Sequence, residues 1–249
     1  MSNPTVSLAE SMVPCRLCKT GTLLRNSHII PEFLYSALYD EKHRFHKISV
    51  DENQKNTLSQ KGVREFLLCG ECEQKLSKYE RYASLVLNGG LELTVRREGR
   101  LIHLEGIDYN IFKLFALSIL WRASVSSLDV FDQVTLGPHE ETLRKMVFNG
   151  EPGKEYEYPF ILSPIIHEGE VQEALIVQPT RTKLAGHQAY RFVFGGLAWV
   201  FLISSHRAPD VVTSASISSS GKLTMLPWEL ADMKFIVHMA QELSQQGKL

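Results

Sequence analysis

The sequence lacks the features that would place a protein in a membrane or export it. Its apolar runs are short and interrupted, whereas a membrane-spanning helix needs about 20 consecutive apolar residues. The segment from residue 1 to residue 10 has neither a basic start nor an apolar centre, so we find no secretory signal. These absences predict a cytoplasmic protein that makes no contact with a membrane.

An excess of either charge is also absent. The 249 residues include 27 Lys and Arg and 28 Asp and Glu, which give a formal net charge of -1. This balance excludes a nucleic-acid binder that works through bulk positive charge, but it leaves a local basic patch open. Hydrophobic residues make up 44% of the chain, which is enough for a core and excludes disorder as the dominant state.

Cysteine is scarce, and its placement is specific. The four cysteines form two CxxC pairs, Cys15 with Cys18 and Cys69 with Cys72, and 50 residues separate the pairs. Two such turns suit a tetrahedral zinc ion, because each presents two thiolates at about 2.3 Å from one metal. Disulfides, free thiols and redox chemistry at one pair are the alternatives, and a reducing cytosol disfavours disulfides. We therefore predict a structural Zn²⁺ ion that contributes folding energy.

The hydrophobic pattern predicts an α+β protein in two parts, residues 1–90 and residues 91–249. In the first part we expect, in chain order, a mobile arm at 1–14, a short strand after the first CxxC pair, a helical turn at 31–39, a strand at 47–50, a strand at 64–68 and a helix at 71–87. In the second part, a mixed helix and antiparallel-sheet domain, we expect a hairpin at 91–104, helices at 108–127, 139–148 and 228–243, strands at 158–162, 174–178, 190–194 and 198–203, and an edge strand at 222–226.

Two further motifs lie around the cysteines. The segment HIIP (28–31) stands between the pairs, and FLLCGECE (66–73) places Glu73 directly after the last cysteine. Together with the CxxC pairs, these motifs resemble the HNH endonuclease family, whose ββα-metal fold often rides on a zinc-binding treble clef. The resemblance covers about residues 15–87, and the rest of the chain resembles no family.

The resemblance implies a metal-dependent nuclease that hydrolyses phosphodiester bonds, of DNA more than of RNA. His28 corresponds to the histidine that activates water, and an imidazole with a pKa near 6.5 accepts a proton at neutral pH. Glu73 corresponds to a ligand of the catalytic cation, Mg²⁺ or Mn²⁺, for which a carboxylate is a good hard ligand. The resemblance further implies a role in bacterial defence or as a toxin.

Two positions depart from the family signature. Ser27 stands where an Asp or His usually precedes the histidine, and Arg64 stands at the position of the usual middle Asn. Glu73 and Glu80 lie two helical turns apart on one face and are a second way to hold the cation. Arg81 beside them is suited to clamp a phosphate.

Four basic residues are the predicted contacts to nucleic acid: Arg44, Lys47, Arg64 and Arg81. The first two belong to a basic stretch at 42–47 with Phe45 interleaved. An ordinary solvated face explains this stretch equally well. Its histidines, His43 and His46, are spare metal ligands or solvated side chains.

A purely structural role remains an alternative for each candidate site residue. His28 is alternatively a hydrogen-bonded residue at a strand end, Glu73 a first-turn carboxylate favoured by the helix dipole, and Glu80 a surface partner of Lys75 or Lys78. The alternative function is a non-catalytic zinc-finger module that binds nucleic acid or a protein. Because the net charge is -1, we expect a protein partner or a homodimer to supply affinity for DNA or RNA.

Overall fold

The α+β class predicted from the sequence is confirmed. The structure is a computed structural model that describes residues 13–249. The predicted mobile arm at 1–14 lies outside the described residues except for its last two, which form a strand. The sheets are antiparallel apart from one short parallel pairing.

The first part contains three small antiparallel strand pairs and one long helix. In chain order the elements are β1 (Val13–Pro14), β2 (Gly21–Thr22), β3 (Leu24–His28), a 3-10 helix (Glu32–Leu38), β4 (Phe45–Lys47), β5 (Thr57–Ser59), β6 (Arg64–Cys69) and α1 (Gly70–Leu87). β1 pairs with β2, β3 with β6, and β4 with β5. The predicted helical turn, the strand at 64–68 and the helix at 71–87 are confirmed.

The strand predicted at 47–50 is wrong in position. It lies at Phe45–Lys47 and pairs with a partner strand at Thr57–Ser59 that the sequence did not indicate. Phe45 is buried and its ring packs 5.5 Å from that of Tyr35. Burial of this aromatic ring fixes the position of the strand, because a shift of one residue would turn the ring away from the core.

β3, β6 and α1 form a continuous unit. Leu24 pairs with Cys69 at one end of the ladder, and His28 pairs with Arg64 at the other. α1 follows β6 without a loop. Its buried side chains recur at helical spacing and are Cys72, Leu76, Ala83 and Val86.

The second part contains four helices and nine strands among the described residues. In chain order they are β7 (Thr94–Glu98), β8 (Leu101–Glu105), α2 (Tyr109–Val125), α3 (His139–Asn149), β9 (Phe160–His167), β10 (Glu170–Val171), β11 (Val177–Leu184), β12 (His187–Phe194), β13 (Leu197–Leu202), α4 (Asp210–Ala215), β14 (Lys222–Met225), β15 (Trp228–Glu229) and α5 (Lys234–Gln245). One sheet has the order β10-β9-β13-β12-β11 with β15 added alongside β9, and a second has the order β14-β8-β7.

The helix predicted at 228–243 is only partly confirmed. Residues Trp228 and Glu229 instead form β15, which pairs in parallel with β9, and a 3-10 turn precedes α5. The sheet edge offers backbone hydrogen bonds that the sequence pattern does not reveal, so tertiary pairing overrides the helical pattern there.

α2 is the centre of the core. Fourteen of its residues are buried, so it is apolar nearly all round as predicted. Phe112 and Phe115 pack against the ring of Trp199 on β13 at 6.1 and 6.0 Å. One hydrophobic cluster contains these residues and also Leu68 and Leu76 from the first part. The boundary near residue 90 stays a prediction.

Within residues 13–249, no helix combines the length and apolar character that crossing a membrane requires.

Candidate functional site

The four cysteines converge on one point at the start of α1. Their sulfur atoms all lie within 4.8 Å of one another, and Cys18 Sγ lies 3.9 Å from Cys69 Sγ. Four sulfurs around a tetrahedral zinc ion lie about 3.8 Å apart when each metal–sulfur bond is about 2.3 Å. None of the four forms a disulfide. The predicted convergence is confirmed, and the arrangement is compatible with a structural zinc ion.

Backbone hydrogen bonds shape both cysteine turns. Cys15 N–H donates to Thr20 O at 2.9 Å, and Lys19, which has a left-handed φ of 65°, donates to Cys15 O at 2.8 Å. Cys69 N–H donates to Cys15 Sγ at 3.3 Å, and Cys69 is the N-cap of α1. The second pair therefore lies at a helix start, where the positive end of the helix dipole favours thiolates.

Burial makes two of these cysteines poor thiolates unless a cation is bound. Burial raises the pKa of the Cys15 thiol. It also raises the pKa of Cys72, and contacts with Cys69 and Cys15 add to the effect. A doubly charged cation compensates for the desolvation and for the repulsion among four sulfurs. A set of four sulfur donors suits zinc and not a hard cation such as Mg²⁺.

β3 carries the chain from the cysteines to His28. Because side chains alternate along a strand, Ser27 and His28 point to opposite faces. Ser27 is buried, and its hydroxyl donates to Arg25 O at 3.2 Å. The Ser27 hydroxyl is therefore engaged with the backbone.

The His28 ring lies in a group of five polar side chains, here named the histidine cluster: His28, Glu32, Tyr39, His43 and Arg64. His28 Nε2 lies 2.5 Å from Glu32 Oε2, and Arg64 Nη2 lies 3.4 Å from the same oxygen. Tyr39 donates a hydrogen bond to Glu32 Oε1, and His43 Nε2 lies 4.0 Å from that oxygen. Glu32 is thus the common partner of the other four.

The protonation of Glu32 determines the tautomer of His28. Burial alone would raise the pKa of the Glu32 carboxyl, but the hydrogen bond from Tyr39, with His28 and Arg64, lowers it below its usual value. Glu32 is therefore a carboxylate at neutral pH, and a carboxylate only accepts hydrogen bonds. The hydrogen of the His28–Glu32 bond consequently lies on Nε2, which leaves the lone pair on Nδ1.

The surroundings of His28 favour the neutral form of its ring. Burial and the positive charge of Arg64 lower the pKa of His28 below 6.5, although Glu32 opposes the shift. The side chain remains 21% exposed, so solvent reaches it. A neutral imidazole with a fixed tautomer and access to water meets the requirements of a general base.

Arg122 supports the end of β3 from α2. Its side chain is 2% exposed, and its Nη1 donates to His28 O and to Glu80 Oε1, both at 2.7 Å. The ion-pair partner of Glu80 is therefore Arg122. The sequence had suggested Lys75 or Lys78 instead. This pairing neutralises the Glu80 carboxylate.

Glu73 lies in the first turn of α1. Its Oε1 is buried and has no hydrogen-bond partner within the described chain. The carboxylate in contact with His28 is Glu32 and not Glu73. An orphaned buried carboxylate oxygen fits the donor chemistry of a hard cation. That Glu73 and His28 serve one site stays a prediction.

The four basic residues predicted to contact nucleic acid differ in their surroundings. Arg44 is bound to Asp40 through Nε at 3.0 Å and Nη2 at 2.8 Å, and Arg64 is paired with Glu32. Lys47 and Arg81 are exposed. The Nε of Arg64 is buried and has no hydrogen-bond partner among residues 13–249.

Sequence reasoning missed Glu32 and Tyr39. Glu32 lies four residues after His28, which is a contact spacing within a helix. The spacing alone did not predict this contact, because the two residues belong to different elements: β3 ends at His28, and the 3-10 helix begins at Glu32 after Pro31. Only the turn between strand and 3-10 helix brings them together.

Comparison of the chain with protein-family models, with curated proteins and with solved structures finds no match.

Proposed function

We propose that the first 90 residues form a zinc-stabilised treble-clef module of HNH type and that the protein hydrolyses phosphodiester bonds of nucleic acid, of DNA more than of RNA. One observation carries the proposal: the hydrogen bond between His28 and Glu32, beside Arg64, at the far end of the strand that begins at the cysteines. The order β3–β6–α1 is also the element order of a ββα-metal fold.

The reaction follows from the tautomer of His28. Nδ1 takes a proton from a water molecule while the water oxygen bonds to phosphorus. The bond between phosphorus and the leaving oxygen breaks, and that oxygen takes up a proton from solvent. Glu32 holds the ring through Nε2–H and stabilises the imidazolium that forms. Arg64, paired with Glu32 beside the ring, supplies positive charge to the phosphate.

Two metals belong to this proposal. The four cysteines hold Zn²⁺ in a structural site, because four protein ligands leave no open position. Glu73 holds the catalytic Mg²⁺ or Mn²⁺ through its orphaned oxygen. When bound, such a cation stabilises the charge on the phosphate and on the leaving oxygen.

Plasmid cleavage tests the assignment of the base. Plasmid is incubated with the protein and Mg²⁺ or Mn²⁺, beside the variants His28→Ala and His206→Ala, the second of which removes an exposed histidine far along the chain. We expect His28→Ala to lower the cleavage rate by about 100-fold or more, because general bases contribute about that much, and His206→Ala to leave it unchanged. Cleavage that survives in His28→Ala refutes this assignment.

A second candidate function is favoured by Ser27. Its buried hydroxyl is bound to the backbone, so the first metal-ligand position of the family does not face the site. This favours a non-catalytic zinc-finger module that binds nucleic acid or a protein partner. Absence of cleavage with every divalent cation, together with intact binding of the folded protein to nucleic acid, would select this alternative. The protein partner, the homodimer and the cytoplasmic location stay predictions.

A further inference from the structure

Three aromatic rings form a column that rises from the core beside the histidine cluster. The column consists of Phe45, Tyr39 and His43. Phe45 is 6% exposed, and its ring meets that of Tyr39 edge to face at 5.6 Å. Tyr39 and His43 stack nearly parallel, with centroids 3.7 Å apart and planes inclined by 14°. The His43 side chain is 66% exposed, so the outer face of the last ring lies open to solvent.

The backbone holds His43 in place without help from its ring. Its φ is 56°, a left-handed value that is uncommon for a residue with a side chain. Asp40 fixes this turn: its side chain accepts hydrogen bonds from Lys42 N–H at 2.9 Å and Arg44 N–H at 2.8 Å, and its carbonyl accepts one from His43 N–H at 2.9 Å. A strained residue held by its surroundings, with an exposed stacked ring, is a functional candidate.

The exposed ring face lies next to the proposed base. His43 Nε2 is 4.0 Å from Glu32 Oε1, and Glu32 Oε2 is 2.5 Å from His28 Nε2. A group stacked on His43 is therefore a close neighbour of a phosphate attacked at His28. Lys42 and Lys47, both exposed, lie on the same stretch of chain as exposed Glu41, so charges of both signs surround the ring.

We propose that the outer face of His43 stacks an unpaired nucleobase of the substrate, so that the protein acts on single-stranded or locally unpaired nucleic acid. This inference rests on the proposed nuclease function and deepens it. Every base has a π face that stacks on an aromatic ring, whereas within a duplex those faces are covered by neighbouring bases. A planar imidazole already stacked on Tyr39 loses little side-chain freedom when a base is added.

Binding of an oligonucleotide that contains 2-aminopurine, whose fluorescence falls on stacking, tests the inference. The measurement uses buffer without added Mg²⁺ or Mn²⁺ instead of a chelator, which would also strip a metal from the cysteines. His43→Asn keeps the turn, because Asn tolerates the left-handed conformation, and removes the ring. His43→Phe keeps an aromatic ring, and His238→Asn removes a histidine that is 74% exposed on α5 as the matched control.

We expect the natural protein and His43→Phe to quench the fluorescence and to bind the single strand more tightly than the duplex. His43→Asn should lose the quenching and bind the single strand about 10-fold more weakly, a typical effect of one lost base–aromatic stack. His238→Asn should behave as the natural protein. The inference is overturned if His43→Asn binds the single strand as tightly as the natural protein does. It is also overturned if the natural protein binds single strand and duplex with equal affinity. Capture of an aromatic peptide in place of the oligonucleotide overturns it too.

The two proposals fail separately. Cleavage that depends on His28 but is indifferent to His43→Asn and to strand pairing refutes the stacking site and leaves the nuclease intact. Quenching that depends on His43, without cleavage under any metal, supports the stacking site and refutes the nuclease.

Discussion

One carboxylate determines what the His28 ring is able to do. Glu32 receives hydrogen bonds from His28 and Tyr39, lies 4.0 Å from His43 and pairs with Arg64. If the Glu32 carboxylate were absent, Nε2 would have no fixed acceptor and the imidazole would be free to change tautomer. In the proposed mechanism Glu32 is therefore a positioning residue, since it would act through the histidine and not on the phosphate.

The variant Glu32→Gln tests this role through the pH profile of cleavage. Glu32 raises the pKa of His28, while burial and Arg64 lower it. Removing the negative charge should lower that pKa further. In the proposed mechanism the neutral ring is the base, so the acidic limb of the rate profile should lie below pH 6.5 in the natural protein and at still lower pH in the variant.

We also expect the plateau rate of Glu32→Gln to fall by about 10-fold, because an amide holds the ring less firmly than a carboxylate does. The measurement is the cleavage rate between pH 4 and 9, with circular dichroism as a check on folding. A lower plateau with an unmoved acidic limb would show that Glu32 only supports the fold.

Glu32 also makes stability depend on pH. Its folded pKa lies below the unfolded value of 4.5. The contribution of the ionised carboxylate is therefore complete above about pH 4.5 and is lost as the pH falls through the folded value.

At the scale of elements, α1 joins the cysteines to the rest of the site. Cys69 caps the helix, Cys72 lies in its first turn, and Glu80, two turns after Glu73, holds Arg122. β3 begins near the same point, is five residues long and ends at His28. A metal at the cysteines therefore fixes the start of both elements that shape the site.

Loss of the metal should unfold this part of the protein. We expect one zinc ion per chain by elemental analysis, and none in Cys72→Ser. A structural zinc site contributes about 10–16 kcal/mol, which exceeds the stability of most domains, so the variant should lose helical signal and the ladder of β3 and β6.

Glu71→Gln is the matched control for Cys72→Ser, because Glu71 lies exposed between Cys69 and Cys72. It should keep its zinc and its helical signal. A protein that retains full helicity after Cys72→Ser, or after treatment with a chelator, would contradict a structural metal.

The pattern of apolar residues predicted most elements of the chain but not every boundary. The helices at 71–87 and 139–148 are local in origin, because their buried side chains repeat at helical spacing. The helix at 108–127 was predicted from an apolar run, and it is buried nearly all round. β5, β10 and β15 escaped prediction, because each is a short exposed segment that becomes a strand only through its partner. The short helix α4 was not predicted either.

At the scale of the whole molecule, one buried arginine connects the two predicted parts. Arg122 on α2 donates to the carbonyl of His28 and to the carboxylate of Glu80. It also donates to Ser118 O at 3.3 Å within its own helix. The position of His28 therefore depends on the second part as well as on the cysteines.

Arg122→Met should destabilise the protein by about 3 kcal/mol, because removing one partner of a buried ion pair leaves the other without compensation. Urea unfolding measures the change in the free energy of unfolding. The double variant Arg122→Met with Glu80→Met should recover part of the loss, since no unpaired carboxylate remains.

Arg81→Met serves as the control for Arg122→Met, because Arg81 is an exposed neighbour of Glu80 on α1. Its free energy of unfolding should stay within about 0.5 kcal/mol of that of the natural protein. If Arg122→Met costs no more than Arg81→Met, the buried arginine does not connect the two parts.

The sequence by itself determined the α+β class, the pairing of the cysteine turns and the buried helix α2. These depend on residue type and short spacing, which fix local conformation and metal-donor chemistry. Only the tertiary structure decided that Glu32 is the partner of His28, that Arg122 binds Glu80, and that a stacked column ends at His43. Those contacts join different elements, and packing sets their distances through space, which spacing along the chain does not encode.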